Sequence, residues 1–163
     1  MNIIKQLVSF SDEQLIMELN RRGGLVGVGD VVTKTPGLFW AQTNEKGRGV
    51  FASHDISAGE IVELSPVLII EPQHTSRIDG MVLEDYVFIW KPEGGEVSLA
   101  VALGFGSLFN HSFQPNIVYH RQFERRLIEF KALRDIAAGE EVVVNYNRDP
   151  NDLTPIWFDM AAE

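Results

Sequence analysis

The sequence predicts a mainly β domain with a few short helices. Two observations carry that prediction. From residue 25 onward, short runs of Val, Ile, Phe and Trp are punctuated by Gly, Pro, Asn and Asp, the pattern of short strands joined by tight connections. Nothing alternates strand with long helix, so a doubly wound parallel sheet is not expected. A third observation concerns organisation. Asp55-Ile-Ser-Ala-Gly-Glu-Ile-Val62 recurs as Asp135-Ile-Ala-Ala-Gly-Glu-Glu-Val142. Each copy sets a glycine turn before a strand, which reads as a duplication or as one local solution used twice. Glu60 and Glu140 are then turn residues at strand entrances, not catalytic carboxylates.

Taken in order, Ser11 and Gln14 have the spacing of a capping box. Leu15, Ile16 and Leu19 follow at helical spacing, and Gly23-Gly24 end the pattern. Residues 11–22 therefore read as a short amphipathic helix. Its apolar face docks on its own domain or on a partner, and the second option would make it the handle of a homodimer. Strands are expected over 37–43, 48–52, 60–70, 85–90, 96–102, 117–123, 126–133 and 141–146. Residues 72–84 read as a helical turn or an irregular loop. Gln122 to Arg126 reads as a hairpin connection, although without an Asn-Gly turn its register is open. Trp157 and Phe158 form a bulky pair that must bury itself, either capping the core or covering a ligand.

The chain of 163 residues is long enough for one domain with a sizeable core. It has no cysteine, which excludes disulfides, thiolate metal sites and a cysteine nucleophile. No apolar run approaches the roughly 18 residues of a membrane span, and Met1-Asn-Ile-Ile-Lys5 lacks a signal-peptide pattern. A cytoplasmic location is expected, with the nucleus open for a eukaryotic protein. The net charge of −9 argues against direct nucleic-acid binding, which needs clustered Lys and Arg. It suits a basic protein partner.

The most unusual stretch is Leu103-Gly-Phe-Gly-Ser-Leu-Phe-Asn-His-Ser-Phe-Gln-Pro-Asn116. A glycine-punctuated apolar run turns abruptly polar, and polar side chains that follow a core segment need partners. On pattern alone it could be a loop that satisfies itself. Three further pieces stand with it in one order: Gly47-Arg-Gly-Val-Phe-Ala52 and Asp55 to Val62 before it, and Gly139-Glu-Glu-Val-Val-Val-Asn-Tyr146 after it.

This set resembles the SET-domain family of S-adenosylmethionine-dependent protein lysine methyltransferases, over about residues 36–158. The resemblance divides the chain into an N-terminal extension (1–35) with the short helix, a SET domain (36–158) and a tail (159–163). It implies a β-clip fold of several short sheets. It also implies a C-terminal pseudoknot that lays the Asn-His-Ser stretch beside the strand ending at Tyr146. The implied cofactor is S-adenosylmethionine, converted to S-adenosylhomocysteine, and the implied substrate is a lysine of a basic protein. By the same resemblance Lys46, Gly47 and Arg48, with Asn110, His111 and Tyr146, hold the cofactor. Trp157 lies against its adenine, and Tyr146 is the catalytic residue. Tyr119 and Tyr86 line the lysine channel, with Tyr119 limiting the product to mono- or dimethylation. His54, His74 and His120 form no metal spacing, and no metal is expected. Two departures stand out, Asn145 where many members have Asp and Phe113 where many have Cys. The competing expectation is a catalytically inactive SET or β-clip binding module.

Overall fold

Nine strands fold into a curled sheet and a separate two-stranded ribbon, in a computed structural model that describes residues 37–43 and 46–156. The chain divides into two units, Met1–Lys34 and Thr35–Glu163, and the described residues all belong to the second. The helix expected over 11–22, and Trp157 with Phe158, lie outside the described residues.

β1 (Leu38–Gln42) and β2 (Arg48–Ala52) form the antiparallel ribbon. Its turn closes through Thr43. The Thr43 hydroxyl accepts from the Lys46 N–H (2.9 Å) and donates to the Gly47 carbonyl (2.9 Å). Gly47 takes φ +70, a left-handed value that suits a residue without Cβ.

β3 (Ile61–Ile70), β4 (Val87–Trp90), β5 (Ser98–Ala102), β6 (Asn110–His111), β7 (Ile117–Gln122), β8 (Leu127–Ala132) and β9 (Val143–Val144) make the larger sheet. Its order is β4-β5-β3-β8-β7-β9-β6. The several short sheets are joined through β3. Residues 61–66 pair with β8, and residues 67–70 pair with β5. Pro66 sits at the changeover, where a residue without an N–H is tolerated because the ladder passes from one partner to the other. β7 and β8 form the hairpin expected over 122–126, and Arg126 takes φ 50 in its turn.

Two strand expectations shift. The run 141–146 pairs as a strand of the large sheet only over Val143–Val144. Before it, Glu141 bridges Phe51, and the Val142 N–H donates to the Val50 carbonyl (2.7 Å). After it, Asn145 turns the chain. The segment 72–86 forms two 3-10 helices, Pro72–Ile78 and Val82–Tyr86, so the next strand begins at Val87.

The repeated segments pack on each other. Ile56 and Ile136 exchange backbone hydrogen bonds (2.8 and 2.9 Å). Asp55 accepts from the Ala138 N–H (2.9 Å) and Asp135 from the Ala58 N–H (2.8 Å), so each copy caps the turn of the other. Glu60 and Glu140 each accept from the N–H three residues back, both at 3.1 Å. They serve turn geometry, as their positions suggested.

β9 is the centre of the topology. It runs parallel to both β6 and β7 and lies between them. Residues 112–116 join β6 to β7 across it. The Ser112 N–H donates to the Val144 carbonyl (3.1 Å) and the Asn116 N–H to that of Val143 (3.2 Å). This is the pseudoknot: a late strand is inserted under a loop made earlier in the chain. Asn116, 1% exposed, pins it. Its amide donates to the Glu141 carbonyl (2.7 Å) and to the Glu140 carboxylate (3.0 Å), and it accepts from the Val143 N–H (2.8 Å). Phe109, Phe130, Ile117, Ile128, Val50, Val142 and Val144 fill the core around this crossing.

Candidate active site

The inserted strand sets where Tyr146 falls. Two residues beyond β9, its hydroxyl donates to the Phe109 carbonyl (2.9 Å) and its N–H donates to Nδ1 of His111 (3.1 Å). The His111 ring lies edge-on to Tyr146 (5.2 Å) and to Phe113 (4.6 Å). Nδ1 thus accepts from the Tyr146 backbone, and the ring is buried between two aromatics. The Asn110 amide nitrogen donates to the Glu141 carboxylate (2.7 Å) and to the Arg48 carbonyl (3.1 Å). This ties the Gly47-Arg48-Gly49 segment to the knot. The approach is close: a Cβ on Gly49 would stand 2.6 Å from Glu141 Oε1 and 2.9 Å from the Thr43 methyl, so a larger residue would have to displace those side chains.

On the other side of Tyr146 a cavity of about 520 Å³ opens. Phe88, Phe109, Tyr119, Tyr146 and Tyr86 form its aromatic wall, and Asp85, Arg121 and Arg148 are its charged members. Tyr119 packs edge-on against Phe88 (5.1 Å). The Tyr86 hydroxyl accepts from the Arg48 guanidinium (3.4 Å), which links the cavity to the β1–β2 turn. Burial pushes the Tyr146 phenol up to about 12, with Tyr86, Asp85 and Glu141 adding to the shift. Burial also raises Tyr119, while Arg121 and Arg148 pull it back.

Tyr146, Tyr119 and Tyr86 thus share one cavity. Asn110, His111 and the main chain of Arg48 cluster at the knot beside it. Lys46 and Gly47 lie at the tip of the ribbon turn, where nothing stands within 4 Å of a Cβ built on Gly47. Trp157 lies outside the described residues. The sequence reading missed Glu141, because in a Gly-Glu-Glu turn both acids look alike. Only the bridge to Phe51 turns the second one toward Asn110. It also missed Arg121. The period-2 rule could have found it, since Arg121 follows Tyr119 by two on β7 and shares its face.

Comparison with known proteins gives the family. The SET-domain model matches residues 47–147. The Schizosaccharomyces pombe histone-lysine N-methyltransferase specific for H3 lysine 37 is 34% identical over 121 residues, 74% of this chain and 76% of that protein. A Yarrowia lipolytica histone-lysine N-methyltransferase specific for H3 lysine 36 is 32% identical over 113 residues, which are 66% of this chain but only 15% of that protein. The crystal structure of a Plasmodium falciparum protein assigned as a histone methyltransferase superposes with a TM-score of 0.55 at 24% identity, covering 71% of this chain and 95% of that one. The chain belongs to the SET-domain family.

Proposed function

We propose that the chain is an S-adenosylmethionine-dependent protein lysine N-methyltransferase acting on a lysine of a basic protein. The carrying observation is the Tyr146 hydroxyl, fixed on the Phe109 carbonyl in the wall of an aromatic cavity one residue from the Asn110 knot. Family membership and the two named relatives support the reading. Histone H3, on which those relatives act, is the first substrate to try. With a histone as substrate, the nucleus is where enzyme and substrate meet.

The residues at the knot fit the cofactor. The Arg48 carbonyl, the Glu141 carboxylate and the Asn110 amide converge, an acceptor-rich set suited to the ammonium of an amino-acid head group. The Gly47 turn is exposed beside them, with nothing within 4 Å of a Cβ built on Gly47 to bar a ligand. The bound cofactor would supply a methyl group activated by its sulfonium. The chain's own residues do the rest. A lysine amine must enter neutral, and its pKa of about 10.4 makes this cost about 4–5 kcal/mol at neutral pH in water. The walls of Phe88, Phe109 and Tyr119 strip water from the amine and so lower that cost. Tyr146 stays protonated, because its phenol is pushed up to about 12. It therefore orients the amine and is not a general base. Tyr119, buried beside Phe88, leaves limited room for a methylated amine, which favours mono- or dimethyl product.

The test is transfer of labelled methyl from S-adenosylmethionine to recombinant histone H3 and to a set of other basic proteins, with the modified residue located by mass spectrometry. Wild type should label lysine. Tyr146→Phe should lower kcat at least tenfold, about 1.4 kcal/mol, with cofactor affinity unchanged. Cofactor binding without turnover on any substrate would instead mark a binding module.

A further inference from the structure

Asp85, Arg121 and Arg148 are the charged residues that line the cavity. Arg121 is half-buried. One guanidinium nitrogen donates to the Ile89 carbonyl of β4, and the group lies over the Phe123 ring at 5.9 Å. Its Nε is buried and has no hydrogen-bond partner among the described residues. Arg148 is exposed at the mouth. It takes φ 76, a conformation that residues with side chains seldom adopt, and its N–H is tied to the Asn145 carbonyl at 3.0 Å. Neither guanidinium has a carboxylate partner among the described residues, although Asp and Glu outnumber Lys and Arg by 23 to 14 in the chain. The two are close enough to depress Arg121 by like-charge repulsion, on top of burial. Two guanidiniums that line one cavity and have no carboxylate partner among the described residues have spare donors suited to a carboxylate.

We infer that Arg121 and Arg148 bind a carboxylate of the substrate, an Asp or Glu side chain within a few residues of the target lysine. This rests on the methyltransferase reading and adds a rule of substrate choice. With the lysine in the cavity and both arginines on its lining, the acid has one place to lie, which fixes the direction in which a peptide crosses it.

The test uses synthetic peptides with one lysine in a neutral background and a Glu, or a Gln as control, at each of the four positions on either side. Methyl transfer and fluorescence-anisotropy binding are measured on the full chain. Glu at one or two positions on a single side should raise kcat/KM about tenfold over Gln, the scale of one charge-assisted hydrogen bond. Arg121→Gln and Arg148→Gln should each erase most of that preference. Arg121→Lys should retain part of it. Arg148→Glu should reverse it, favouring Gln over Glu at the same position. Methylation of Glu and Gln peptides at equal rates would overturn the inference and leave the enzyme reading standing. Arginine-dependent binding of Glu peptides without methylation would do the opposite.

Discussion

Tyr146 is held by groups of opposite kinds, a carbonyl at its hydroxyl and an imidazole nitrogen at its backbone. The second contact survives any side-chain substitution, so Tyr146→Phe is a clean probe of the hydroxyl. The hydroxyl also has a spectroscopic signature. Its pKa is raised from 10.0 to about 12, chiefly by burial. A raised folded-state value favours the protonated form in the fold. The associated stability is fully present below about pH 10 and is lost as pH rises through about 12. Alkaline titration at the tyrosinate absorption band should show a component with a midpoint near pH 12 in wild type. That component should be missing in Tyr146→Phe, and a Tyr146 midpoint near 10 would show that the phenol is not buried as described. Residue roles of this kind were half legible in the sequence. Tyr146, Asn110 and Tyr119 could be singled out from their motif, and Arg121 from its spacing to Tyr119 on one strand, but Glu141 could not, since its contact comes from the strand it opposes.

Most of the strands were legible as elements, because apolar runs between Gly, Pro and Asp report the pleat directly. Their partners were not. β6 is two residues long and has no periodicity of its own; it exists because β9 lies beside it. β3 reads as one strand but serves two neighbours, and only Pro66 hints at the change. The repeated Asp-Ile-x-Ala-Gly-Glu turns were visible as a repeat, yet not that they cap each other. That exchange makes a prediction at this scale. Asp55→Ala and Asp135→Ala should each cost about 1 kcal/mol, the usual worth of a side-chain cap. The two costs should match closely, because the hydrogen bonds are near copies. Urea unfolding with an unchanged slope is the measurement. Asp→Asn at either site keeps an acceptor oxygen and should cost much less, and equal losses for Asn and Ala would show that the caps contribute through charge instead.

At the scale of the molecule, the net charge of −9 produces a field that draws in basic proteins before any contact is made. The field is screened over about 10 Å at 0.1 M salt and about 3 Å at 1 M. Raising NaCl from about 0.05 to about 0.5 M should therefore lower kcat/KM several-fold on a polybasic substrate, mostly through KM, and leave a neutral single-lysine peptide nearly unaffected. Equal salt effects on both would assign the attraction to the cavity alone. Sequence composition made this acidity plain. It could not show that Arg121 and Arg148 line one cavity, since they come from β7 and from the turn after β9.

The insertion of β9 has a consequence for the life of the polypeptide. During synthesis β6 (ending at His111) and β7 (ending at Gln122) leave the ribosome well ahead of the segment, beginning at Val143, that must slide between them. Until it arrives, the cavity lacks the wall that Tyr146 supplies. Competence is thus withheld from unfinished and clipped copies alike, and a protease cut between residues 133 and 142 that let the last strand escape would silence the molecule while leaving most of its sheet intact.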